Sequence, residues 1–149
     1  MEKSLKEIFD KLKHYCAYQE RCHQEVRQKL LELKVYGDDL ENIILLLIEE
    51  NYLNEERFAQ LFSGGKFRMK GWGKVKIRQE LKARQISEYC INKGLKEINE
   101  EDYLEKLKDL KEKKELTEKE KNPILRKKKI AQYLISKGYE SDLVWGILN

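Results

Sequence analysis

The chain has 149 residues, 39% of them charged and 40% apolar, with eight glycines, one proline and a net charge of +4. So few turn formers exclude a β-sandwich or barrel, which needs regular Gly/Pro punctuation between strands. The longest apolar run, Ile43 to Ile48, is far too short for a membrane span, and Met1 to Glu7 holds no apolar core of a secretory signal.

Helical periodicity accounts for almost every segment. Leu5, Ile8, Phe9, Leu12, Tyr15 and Cys16 form the first stripe. Val26, Leu30, Leu31 and Leu33 form the second, and Leu40, Ile43, Ile44, Leu47 and Ile48 the third. Phe58, Leu61, Phe62 and Phe67 mark a fourth, Val75, Ile77, Leu81 and Ile86 a fifth, and Ile91, Leu95 and Ile98 a sixth. Three more follow, through Tyr103 to Leu110, Ile130 to Leu134 and Leu143 to Leu148. Asn54 and Asn99 each precede two glutamates, so an Asn side chain caps free N–H groups while carboxylates face the positive end of the helix dipole. Ser87-Glu88 and Ser141-Asp142 offer the same chemistry, and Gly37, Gly94 and Gly138 suit left-handed helix ends. Asn122-Pro123 is a break and restart. Residues Glu105 to Lys121 are dense in Lys and Glu, and are expected to form a helix that frays into solvent.

The stripes repeat as a unit. Asn54-Glu55-Glu56 recurs as Asn99-Glu100-Glu101, and Glu25-Val26-Arg27-Gln28-Lys29-Leu30 recurs as Lys76 to Leu81 and Lys129 to Leu134. The expected fold is all-α: three tandem three-helix repeats over residues 1–53, 54–98 and 99–149, in an elongated, curved array. Each repeat has an incomplete core that its neighbours help to close.

No catalytic set is present. Neither a phosphate-binding loop nor a strand-led Gly fingerprint occurs; Ser63-Gly64-Gly65-Lys66 and Gly71-Trp72-Gly73 merely flank helices. His14 and His23 read as helix-surface residues, because their spacing to Cys16 and Cys22 matches no common zinc pattern. Cys16, Cys22 and Cys90 read as reduced thiols packed as small hydrophobes, which points to the cytoplasm. No cofactor, metal or small-molecule substrate is expected.

Charge is unevenly spread. Residues 1–53 hold 8 bases and 11 acids, residues 54–98 hold 11 and 5, and residues 99–149 hold 12 and 11. The excess lies in residues 66–84: Lys66, Arg68, Lys70, Lys74, Lys76, Arg78, Lys82 and Arg84 stand against one acid, Glu80. Like charges at helical spacing cost stability when unpaired, so this stretch reads as a surface for a polyanion or an acidic partner. Trp72 lies among the bases. Its size favours closing the junction between two helices, with stacking on a base as the other reading.

These residues resemble the RecX regulatory proteins. Tyr15 to Cys22 with Glu25-Val26-Arg27-x-Lys29-Leu30 resembles their first repeat. Tyr52-Leu53-Asn54-Glu55-Glu56-Arg57-Phe58-Ala59, Lys66-Phe67-Arg68 and Trp72-Gly73-x-x-Lys76-Ile77-Arg78-x-Glu80-Leu81-Lys82 resemble the second. Tyr103-Leu104-x-x-Leu107 and Tyr133-Leu134-x-x-Lys137-Gly138-Tyr139 resemble the third. The resemblance implies a non-enzymatic modulator that lies along the groove of the RecA nucleoprotein filament, restrains recombinase and coprotease activity, and binds DNA, single- or double-stranded. A stand-alone nucleic-acid-binding module, or an adaptor docking through residues 105–121, are the other readings.

Overall fold

The computed structural model describes residues 3–149, and every regular element among them is helical. Helices α1 (Lys3–Tyr18), α2 (His23–Glu32) and α3 (Gly37–Glu49) come first. Next are α4 (Glu55–Gly65), which runs on into a π turn (Lys66–Lys70), α5 (Lys74–Ala83) and α6 (Glu88–Leu95). Last are α7 (Glu100–Thr117), α8 (Pro123–Ser136) and α9 (Ser141–Leu148). The nine helices among the described residues fall into three groups of three, as the recurring motifs predict.

The middle helix of each group ends in the same way. Lys34, Gln85 and Gly138 all have positive φ, at 63°, 60° and 104°. The next residue's N–H reaches back to the helix in each case: Val35 to the Leu30 carbonyl, Ile86 to Leu81 and Tyr139 to Leu134. This is the Schellman closure, with its apolar residue after the left-handed position. Val35, Ile86 and Tyr139 are all buried, so each turn is also pinned by packing.

The caps follow the sequence with three corrections. The first is that Gly37, expected to end a helix, opens α3, while Lys34 takes the left-handed position after α2. Asn54 Oδ1 accepts from Arg57 N–H at 2.9 Å, and Asn99 Oδ1 accepts from Asp102 N–H at 3.1 Å. Ser87 Oγ caps α6. Ser141, however, is the first residue of α9, and Glu140 occupies the cap position, its carboxylate taken by the Tyr103 hydroxyl. Gly94 does not end a helix. It sits inside α6, where a Cβ would come within 2.5 Å of the Ala59 carbonyl oxygen and 2.9 Å of Ser63 Oγ, so it allows α4 and α6 to cross closely.

The expected fraying of Glu105–Lys121 is also corrected. Helix α7 continues to Thr117, and its end is held by α8: the Arg126 guanidinium donates to the Glu115 carbonyl at 2.6 Å, and Lys129 pairs with Glu120 at 3.1 Å. The Lys114 ammonium lies 5.2 Å from the Tyr133 ring centroid.

Two apolar cores result among the described residues, so the expected closing of cores by neighbours holds for the second and third repeats and not for the first. The first repeat has its own, built from Phe9, Leu12, Val26, Leu30, Ile43 and Leu47 among others. The second and third repeats share one, in which Ile77, Leu81 and Ile91 meet Tyr103, Leu107, Ile130 and Leu134. Cys22, in the α1–α2 connection, enters this shared core, and Glu20 beside it pairs with Arg57 at 2.8 Å. Arg57 also donates to the Asn51 carbonyl, so it is a joint between the first two repeats. Cys16, Cys22 and Cys90 are unpaired and buried, as expected. His23, expected on the surface, is half-buried at the start of α2, and burial lowers its pKa.

Candidate polyanion interface at the second and third repeats

The basic stretch folds into two parts separated by a glycine. Lys66, Arg68 and Lys70 ride on the π turn, which ends at Gly71 with φ of 68°. Lys74, Lys76, Arg78 and Lys82 ride on α5, and Arg84 caps its end. Helix α5 begins without a side-chain cap, at Gly73. Its first N–H groups are instead satisfied from the third repeat. Gly73 N–H donates to the Lys137 carbonyl at 2.8 Å, Lys74 N–H to the Tyr103 hydroxyl at 2.9 Å, and Val75 N–H to the Gly138 carbonyl at 2.9 Å. Tyr139 returns the bond, donating to the Gly71 carbonyl at 3.0 Å. Backbone therefore touches backbone across the joint. A Cβ on Gly73 would stand 2.3 Å from the Gly138 carbonyl, and one on Gly138 would stand 2.4 Å from Lys76 Cβ.

The lack of acidic partners expected for the stretch applies to half of it. Lys74 pairs with Glu100 at 2.6 Å, Arg78 with Glu88, and Arg84 with Glu80 at 3.7 Å, while Lys82 lies 3.9 Å from Glu88. Glu88 and Glu100 come from neighbouring helices, which is why local sequence does not reveal the pairing. Arg78 also donates to Asn92 Oδ1 at 2.9 Å, tying α5 to α6. Lys66, Arg68, Lys70 and Lys76 have no carboxylate partner among the described residues.

Two of these unpaired cations gather at Trp72. The Lys76 ammonium lies 4.6 Å, and that of Lys66 5.0 Å, from the Trp72 ring centroid. Trp72 is half-buried and meets Phe62 edge-on at 6.2 Å. It thus closes the helix junction and still presents an indole face under two ammonium groups. Lys137, from the turn after α8, joins them. It donates to the Lys70 carbonyl at 2.9 Å, and burial together with the nearby Lys76 and Lys70 charges lowers its pKa. Sequence reading missed Lys137, because it lies far along the chain and alone among bases in its own turn. The Lys137-Gly138-Tyr139 repeat turn was its only signal. The chemistry available is attraction of anions with an aromatic platform alongside. Among the described residues no group of His, Cys, Asp and Glu could hold a metal, and no helix is long and apolar enough to cross a membrane.

Comparison with known proteins decides the family. The RecX second three-helix domain matches residues 54–95, and the RecX third three-helix domain matches residues 100–148. The chain belongs to the RecX family. It is 30% identical over 145 residues to the regulatory protein RecX of Salmonella paratyphi A, covering 91% of this chain and 86% of that one. It is 27% identical over 143 residues to the RecX of Halalkalibacterium halodurans, and 32% identical over 124 residues to that of Clostridium perfringens. It spans only 54% and 58% of those two proteins, little more than half their length. The crystal structure of RecX from Lactobacillus salivarius shares the fold, with a TM-score of 0.87 at 24% identity over 97% of this chain and 94% of that one. Within the RecX fold, the Trp72-Gly73 and Lys137-Gly138-Tyr139 motifs are the two sides of one joint.

Proposed function

We propose that this RecX-family chain regulates the RecA recombinase by docking on the RecA–DNA filament without a catalytic step of its own, and that it restrains the filament's activities. The supporting observation is a cluster in which Lys66 and Lys76 lie over Trp72 and Lys137 lies near Lys76 and Lys70, drawn from two repeats and without a carboxylate partner among the described residues. Like charges so placed repel one another, and an anionic partner relieves that cost. Arg68 stands apart from this cluster, in a pocket with Phe67, Lys106 and the α7 carboxylates Asp102, Glu105 and Asp109. Lys74, Arg78, Lys82 and Arg84 have carboxylates of their own, but exposed ion pairs are worth little and exchange readily for a phosphate. They belong to the rim of the surface.

The test is RecA ATPase activity on single-stranded DNA, titrated with the protein at two salt concentrations. The triple variant K70E/K76E/K137E is expected to lose its effect on RecA while keeping its helical circular dichroism. Undiminished inhibition by the folded variant would overturn the reading. The same lysines favour one second reading, direct DNA binding without RecA. Four neutralised phosphates then give a log–log salt slope of about −3.6 on duplex. A slope near zero removes DNA as the ligand and leaves an acidic protein surface.

A further inference from the structure

A second pair of surfaces lies away from the basic cluster, one in the third repeat and one in the first. The α7–α8 hairpin ends in a knob of exposed apolar side chains: Leu116 is 87% exposed, Ile124 79% and Leu125 46%. The knob is built firmly, since Arg126 and Lys129 bind the α7 tail. Nearby, Lys111, Lys114 and Lys129 are paired to glutamates, whereas Lys113, Lys119, Lys121 and Lys128 have no carboxylate partner among the described residues. The knob is therefore apolar at its centre and cationic at its edge.

In the first repeat, α3 is apolar on more than its buried side. Leu40, Ile43, Ile44 and Leu47 enter the core, yet Leu45 is 55% and Ile48 40% exposed. A groove runs along α3 beside α1, lined by Leu5, Asn42, Leu45 and Leu46, with Asp39 and Glu49 among its walls and no base. Asp38 and Glu50 extend the acidic rim at the two ends of the helix. Exposed apolar side chains concentrated in this way mark contact surfaces. The two surfaces complement each other in shape, knob to groove, and in sign.

We infer that a second copy of this chain occupies each surface: the α7–α8 knob of one copy seats in the α1–α3 groove of the next. Because the two patches are different, the contact is head-to-tail and leaves a free knob and a free groove at the ends. Three apolar anchors make a contact smaller than a standard stable interface. Copies in dilute solution are then mostly monomeric, and association grows when copies are held side by side on one polymer, through effective concentration.

Sedimentation velocity on the full chain, from low micromolar to near-millimolar concentration, tests this. The weight-average sedimentation coefficient is expected to rise with concentration and to fall back with added salt. Knob variant L116E/I124E and groove variant L45K change only exposed side chains. Each alone is expected to weaken association at least about tenfold, a change of about 1.4 kcal/mol. An equimolar mixture keeps one intact knob and one intact groove, so it is expected to form a dimer and nothing larger. A monomer at every concentration overturns the inference. So does a knob variant that abolishes association while the groove variant leaves it intact, because the knob then seats on some other part of the second copy.

Discussion

At the scale of single residues, glycine positions carry the most information, and each for a different reason. Gly73 has an ordinary helical-start backbone, so its identity is dictated by space: a Cβ would meet the Gly138 carbonyl at 2.3 Å. The obstacle is main chain and cannot rotate away. Gly73→Ala is expected to destabilise the protein by about 2–3 kcal/mol, read as a lower urea midpoint. Gly94 acts in the same way against Ala59. Neither role was legible in the sequence, where Gly94 reads as a helix end, because the obstructing residues lie far away along the chain. The Asn caps, by contrast, act on amides two or three residues away, and are legible for that reason. Cys16 supplies a pH dependence. Burial raises its thiol pKa from 9.0 to about 11. A thiol whose folded pKa is raised stabilises the fold fully below pH 9 and loses that contribution as pH climbs to 11. Urea midpoints are expected to fall across that window, and less steeply in Cys16→Ala.

At the scale of elements, the middle helices are the most regular part of the fold and the most readable. Their recurring motif encodes the stripe that buries Leu30, Leu81 and Leu134, and also the turn that buries Val35, Ile86 and Tyr139. The α7 tail was misread because its composition is that of a solvated helix. Its order comes from partners on α8, chiefly the Arg126 bond to a carbonyl that the helix end leaves free. Arg126→Ala is expected to unwind the last turn of α7, seen as lost amide signals dispersion for Glu115 to Thr117, with global stability lowered by about 1 kcal/mol or less. The candidate surface was half readable for a related reason. Lys66, Arg68, Lys70 and Lys76 stand out in sequence and remain unpaired. Lys74 and Arg78 are neutralised by glutamates from the next helices over, which no local pattern announces.

At the scale of the whole molecule, the chain has three repeats in sequence but two cores in space. The first repeat is joined to the rest through Arg57, Glu20 and Cys22. The second and third repeats share a core, and a cationic surface drawn from both needs no joint to be frozen when it meets an anion. The borrowed cap of α5 has a dynamic consequence as well. First-turn amides of a helix ordinarily have no partner within their own helix and exchange with solvent deuterium almost at once. In this chain the amides of Gly73, Lys74 and Val75 are hydrogen-bonded to the third repeat. They are expected to exchange slowly, and all three at one rate, which accelerates together in Gly138→Ala. Three ordinarily silent positions thus become a clock for how often the two repeats part.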